Sequence, residues 1–151
     1  MNIPSNIIKK GIESIKPYPG RLEIINSKSG LTVINDSYNA NPSSMKEAID
    51  VLSSTEGKKI LIIGDMAELG NDSNKYHQEL GDYIKKASID FTLALGRHTK
   101  ITMQQLDKNA FWFDTKDNLL KKLLEIIDSK SIILVKGSRF MEMEKIVSKI
   151  I

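Results

Sequence analysis

Three short and nearly unbroken apolar runs, KILIIG (59–64), FTLALG (91–96) and SIILVK (131–136), constrain this chain most. Runs without polar alternation are how strands covered on both faces read, and that cover comes from helices on each side of a parallel sheet. The intervening segments supply the helices. Met45, Ala48, Ile49 and Leu52 recur at helical spacing, as do Tyr76, Leu80, Tyr83, Ile84 and Ala87. Leu119, Leu120, Leu123, Leu124 and Ile127 form a third stripe, and Phe140, Met143, Val147 and Ile150 a fourth. Residues 98–106 read as a weaker helix. Fainter strand patterns are RLEIIN (21–26), LTVIND (31–36) and AFWF (110–113). Only SKSG separates the first two, which predicts a hairpin at one sheet edge. The whole pattern predicts an α/β fold, a doubly wound and mostly parallel six-stranded sheet with helices on both faces.

A chain of 151 residues is long enough for one domain with a real core. Residues 1–19 break the rhythm. IPSNIIKKGIESIKP reads as a short helix stopping at or soon after Gly11, and KPYPG as an extended, Pro-stiffened linker. The expected division is therefore a leader over 1–19, resembling the end of a preceding unit, and a domain over 20–151. Lys and Arg exceed Asp and Glu by only 22 to 19, a net charge of +3, and they are scattered. That argues against a nucleic-acid partner, which would need basic residues concentrated on one face. There is no cysteine, which excludes disulfides, thiolate catalysis and Cys-ligated zinc. No apolar run approaches the ~20 residues of a membrane span, and MNIPSNIIKK lacks the apolar core of a signal peptide. The expectation is a cytoplasmic protein with no membrane partner.

Ligands in open α/β sheets bind beyond the carboxyl ends of the strands, and three polar clusters fall there. The first is INDSYNANPSSM (34–45), which carries Asp36, Ser37, Tyr38, Asn39 and Asn41 directly before a helix. Asn41 with Pro42 reads as an N-cap with Pro at N1, and Ser44 with Glu47 is an alternative capping box. In either case a helix start faces the turn and suits an anion, with Asp36 placed for a ribose hydroxyl pair or a metal-bound water. Turn shaping and capping alone account for the same residues equally well. The second cluster is GDMAELG (64–70), neither a dinucleotide fingerprint nor a P-loop. Its spacing favours a flexible connection with two solvated acids, Asp65 and Glu68. The third is KGSR (136–139), where Lys136 and Arg139 supply charge, Gly137 a close approach and Ser138 a cap or a carboxylate ligand. An anion clamp and an ordinary Gly-Ser turn both fit. Arg21 opens the first strand after the linker. His77 and His98 have no metal-ligand spacing partner, and His77 reads as structural.

The set PGRLE (19–23), INDSYNANPSSM (34–45), GDMAELG (64–70), His77 and KGSRFMEME (136–144) resembles, in register and order, the C-terminal domain of the Mur ligases. Within that family YNANP, GDMxELG and KGSR resemble the MurF branch, which joins D-alanyl-D-alanine to UDP-MurNAc-tripeptide in bacterial peptidoglycan synthesis. The resemblance implies a Rossmann-like domain that brings the incoming substrate to an ATPase domain. It implies a ligase chemistry in which ATP phosphorylates the tripeptide carboxylate and the dipeptide amine attacks the acyl phosphate. ATP and Mg would serve the complete enzyme. The family's G-K-[ST] loop, carbamylated lysine and magnesium ligands are absent from these residues, so the domain alone is expected to be inactive and to bind no cofactor tightly. Its partners would be D-alanyl-D-alanine, UDP-MurNAc-tripeptide and the N-terminal and central domains of the same ligase. Carried over by position, Arg21, Asp36 and Tyr38 are implied on the ATP side. Asn39, Asn41, Lys136, Ser138 and Arg139 are implied on the dipeptide side. No catalytic or metal-binding residue is implied here. Asn35 stands where the family often has a second Asp, so Asp36 is the only carboxylate of the turn. The alternative is a free-standing, non-catalytic nucleotide- or phosphate-binding α/β module.

Overall fold

The computed structural model describes residues 18–27 and 30–151. The expected leader helix over the first residues therefore lies outside the described residues. Strands β1 (Glu23–Asn26), β2 (Thr32–Asp36), β3 (Lys58–Gly64), β4 (Phe91–Leu95), β5 (Ala110–Phe113) and β6 (Ser131–Lys136) form one sheet. Its order is β1-β2-β6-β3-β4-β5. Only β1 runs antiparallel, paired with β2 from Glu23 opposite Asn35 to Asn26 opposite Thr32. The other pairs are parallel. The expected hairpin edge and mostly parallel sheet are both present.

Helices α1 (Pro42–Ser53), α2 (Ser73–Lys86), α3 (Thr99–Gln104), α4 (Lys116–Ile126) and α5 (Glu144–Ile150) complete the fold. Each central strand alternates its side chains between two cores, as the pleat requires. Leu61, Ile63 and Leu134 join Met45, Ile49, Leu52, Leu80 and Ile84, against α1 and α2. Ile60, Ile62, Ile133 and Val135 join Leu119, Leu123, Ile146 and Val147, against α4 and α5. Each face of the sheet is thus buried, which is why those runs carry no polar alternation.

Three details depart from the periodicity. Arg21 and Leu22 precede β1 rather than opening it, and Leu22 sits at a φ of 46°. On α4 only Leu119 and Leu123 are buried, while Leu124 is exposed. Phe140 is also exposed and belongs to a separate 3-10 turn, Arg139–Met141. Glu142 follows at a φ of 47°, which breaks the helical register before Met143, so Phe140 cannot share a face with it.

Candidate functional site

Parallel pairing places the ends of β2, β6 and β3 side by side, and the three polar clusters with them. The register sets Asp36 opposite Lys136 and Ile63 opposite Lys136 on its other side. Lys136 Nζ donates to Asp36 Oδ2 at 2.5 Å and to the Asn39 carbonyl at 2.9 Å. The other carboxylate oxygen, Oδ1, accepts the Leu22 N–H at 3.1 Å. The Lys136 side chain is only 4% exposed and that of Asp36 13%. A charge so far from water has to be paired, and here each has the other.

Around this pair the turn is tied to the segment before β1. The Tyr38 N–H donates to the Gly20 carbonyl at 2.9 Å. The Arg21 guanidinium stacks over the Tyr38 ring, 4.3 Å from its centroid, a cation–π contact. Tyr18 meets the same ring edge-on at 5.5 Å. Asn35 explains its own presence. Its Nδ2 donates to Glu23 Oε2 at 2.9 Å, while its Oδ1 accepts from the Ser37 hydroxyl at 2.7 Å. A carboxylate there would have no hydrogen to give Glu23 and would face it as a like charge. The same Glu23 oxygen accepts the Gly20 N–H. Asn41 caps α1: its Oδ1 accepts the Ser44 N–H at 2.9 Å, and Ser44 Oγ accepts the Asn41 N–H at 3.1 Å. Asn41 and Ser44 thus form one reciprocal box with Pro42 at N1, which settles the capping alternatives in favour of Asn41.

Two clefts open on this turn. The first, about 290 Å³, is lined by Arg21, Asp36, Tyr38, Asn39, Asn41 and Lys136, with Ser44 and Glu47 of α1. The second, about 560 Å³, is lined by Asn39, Asn41, Glu68, Leu69, Arg139 and Phe140 among others. Asn39 and Asn41 border both. Lys136 therefore stands with Asp36 on the first cleft, apart from Arg139. Arg139 is 65% exposed on its side chain and is held by Glu144 Oε1 at 2.9 Å. Ser138 is buried. Its N–H donates to the Asp65 carbonyl at 3.0 Å and its hydroxyl donates to the same oxygen, so a ligand contact would have to displace that bond. The close approach permitted by Gly137 is internal: a Cβ there would lie 2.7 Å from Met143 and 3.1 Å from the Gly64 Cα.

The acids of GDMAELG part company, which corrects the reading of both as solvated. Asp65 is 4% exposed. Its carboxylate accepts the N–H groups of Arg97 at 2.8 Å, His98 at 3.0 Å and Thr99 at 2.8 Å, at the start of α3. Those orphan donors explain the burial of a charge. Glu68 is exposed at a φ of 61°, left-handed for a residue with a Cβ, a strain of roughly 1 kcal/mol. Nothing in the local spacing showed either outcome. His77 is fully buried and braces the loop. Its Nε2 accepts the Met66 N–H at 3.2 Å, and its Nδ1 lies 2.8 Å from the Ser73 carbonyl, which leaves Nδ1 as the protonated nitrogen of a neutral ring. The structural reading of His77 fits this geometry. Among the described residues no group of three or more His, Asp or Glu stands together as a metal site.

Residues 20–139 match the family model described as Mur ligase, glutamate ligase domain. The chain is 38% identical over 150 residues to the UDP-N-acetylmuramoyl-tripeptide–D-alanyl-D-alanine ligase of Bacillus subtilis, covering 94% of this chain and 33% of that protein. The crystal structure of MurF from Acinetobacter baumannii superposes with a TM-score of 0.89 at 32% identity, over 97% of this chain and 33% of that one. The fold is also that of MurF from Thermotoga maritima, solved in complex with ADP, with a TM-score of 0.80 at 24% identity, over 95% and 35% of the two chains. The chain thus spans about a third of the length of the curated relative it matches.

Two stability measurements follow from this geometry. Lys136→Met keeps the stem but leaves the Asp36 carboxylate uncompensated, and should cost about 3 kcal/mol in urea unfolding. A loss under 1 kcal/mol would show the pair to be dispensable. Burial, above all, holds His77 below the ordinary imidazole value, with the His98 charge acting the same way, against the Ser73 carbonyl and Asp65. The folded state thus refuses a proton that the unfolded chain takes up as pH falls through about 6.5. The stability attached to the neutral ring is complete above that pH and is lost progressively below it. Melting curves at pH 7.5 and 5.5 should show a smaller acid loss for His77→Gln than for the parent; equal losses would assign the acid sensitivity elsewhere.

Proposed function

This chain belongs to the Mur ligase family, and on that premise we propose that it is the incoming-substrate domain of an ATP-dependent ligase joining D-alanyl-D-alanine to UDP-MurNAc-tripeptide. The observation that carries the reading is the pair of adjoining clefts on one turn, with the Asp36–Lys136 pair beneath the first. A nucleotide and a dipeptide would lie on either side of Asn39 and Asn41.

The first cleft suits the nucleotide. The Tyr38 ring and the Arg21 guanidinium present a flat, cationic surface to a base or phosphate. Asp36 lies at the wall for a ribose hydroxyl, held in place by Lys136 and the Leu22 N–H. Lys136 acts chiefly as a positioning residue, because its ammonium is already committed to Asp36 and the Asn39 carbonyl. The second cleft suits the dipeptide, with the side-chain amides of Asn39 and Asn41 and the cation of Arg139. Ser138 positions that turn through Asp65 rather than by touching substrate.

In the reaction, ATP would transfer its terminal phosphoryl to the tripeptide carboxylate, forming the acyl phosphate and ADP. The dipeptide amine then attacks the acyl carbon, losing a proton as phosphate leaves. The contribution of this domain is placement of the amine and closure over the nucleotide. Triphosphate and magnesium binding would fall to residues outside the 151, which contain no G-K-[ST] loop. The cytoplasm, where ATP and the UDP-linked substrate meet, is the compartment this chemistry requires.

In the complete ligase, Arg21→Ala with Tyr38→Ala should raise KM for ATP about tenfold and leave that for D-alanyl-D-alanine within twofold, and Arg139→Ala should do the reverse. Equal effects on both substrates from either variant would contradict the division into two clefts. Calorimetry of the 151-residue chain with ATP should detect only millimolar binding; micromolar affinity would favour a self-sufficient nucleotide-binding module.

A further inference from the structure

The second cleft holds a carboxylate that the division above leaves without a role. Glu68 is exposed there, on the same wall system as Arg139, Asn39 and Asn41. It is held at a φ of 61°, a conformation that a residue with a Cβ adopts at a cost. Among the described residues no hydrogen bond or ion pair engages its side chain, whereas the carboxylate of nearby Asp65 is spent on the start of α3. A strained backbone position that carries an uncommitted acid on the lining of a cleft calls for a functional reason.

Arg139 is the counterpart. Glu144 Oε1 holds one edge of its guanidinium at 2.9 Å, but the side chain is 65% exposed and keeps donors to spare. One cleft therefore presents an anchored cation and an unpaired anion, with the side-chain amides of Asn39 and Asn41 on the same lining. A free dipeptide carries the complementary charges, an ammonium at one end and a carboxylate at the other, about 7 Å apart along an extended chain.

We propose that Glu68 binds the ammonium of the incoming dipeptide while Arg139 binds its carboxylate, so that the second cleft selects a zwitterion by both ends. The inference rests on the ligase reading above. Glu68 is a substrate-binding and orienting residue in this account: it brings in the charged amine and fixes which end faces the acyl phosphate. Phe140, 63% exposed on the rim, offers an apolar surface to a small side chain such as methyl.

The test uses the complete ligase carrying Glu68→Gln, which keeps the shape and the backbone preference and removes the charge. KM for D-alanyl-D-alanine should rise tenfold or more, with KM for ATP within twofold of the parent. Propanoyl-D-alanine, the same dipeptide with its ammonium replaced by hydrogen, should inhibit the parent at least tenfold more weakly than its charged analogue glycyl-D-alanine competes. The variant should lose that discrimination. An unchanged KM in Glu68→Gln, or discrimination retained by it, overturns the role of Glu68 while ligation by the parent upholds the wider reading. A parent enzyme that forms no product from D-alanyl-D-alanine overturns that reading and the clamp together. A melting temperature of the variant within 2 °C of the parent, on the order set by surface substitutions, accompanies a valid comparison; Glu68→Asp, which restores the charge, should recover part of the dipeptide affinity and none if the change were merely structural.

Discussion

The contact between Asp36 and Lys136 is what the rest of the site hangs on. It joins residues one hundred positions apart, and it exists because β2 and β6 pair in parallel with their last residues in register. Lys136 also reaches the Asn39 carbonyl and Asp36 also accepts the Leu22 N–H, so one buried pair fixes the polar turn, the end of the last strand and the segment entering the domain. Such a pair contributes little net stability over an apolar equivalent, but it leaves few alternatives for the loops around it. Its value is geometric.

A second level of order comes from side chains that satisfy backbone groups at a distance. Asp65 at the end of β3 caps α3, His77 of α2 accepts from Met66, and Ser138 after β6 donates to the Asp65 carbonyl. The segments that flank the second cleft are thus tied down at Asp65, Met66 and Ser138, while Glu68, Arg139 and Phe140 on its lining stay exposed. Rigid elements beneath exposed, charged side chains hold a binding geometry more closely than a free loop would.

Much of the frame was legible because its signals are local. Both-face burial showed in the unbroken runs of β3, β4 and β6, the hairpin in the short SKSG link, and the α1 start in Asn41-Pro42. Three features were not. Lys136 and Arg139 are three residues apart yet serve different clefts, since a strand end and a 3-10 turn point them apart; only the strand register reveals that. The destination of Asp65 depends on which helix start lies across β3 and β4, which no neighbouring residue encodes. Phe140 falls at helical spacing from Met143, but the left-handed Glu142 interrupts the helix between them. The clefts themselves arise from the sheet order, so the grouping of site residues needed the structure even where their identities did not.

The most direct measurement is a crystal structure of the complete ligase with a non-hydrolysable ATP analogue and D-alanyl-D-alanine. The account predicts the nucleoside against Tyr38, Arg21 and Asp36, and the dipeptide across Asn39 and Asn41 in the second cleft, with the Asp36–Lys136 pair intact between β2 and β6. A nucleotide seated without contact to the first cleft, or a dipeptide outside the second, would contradict it.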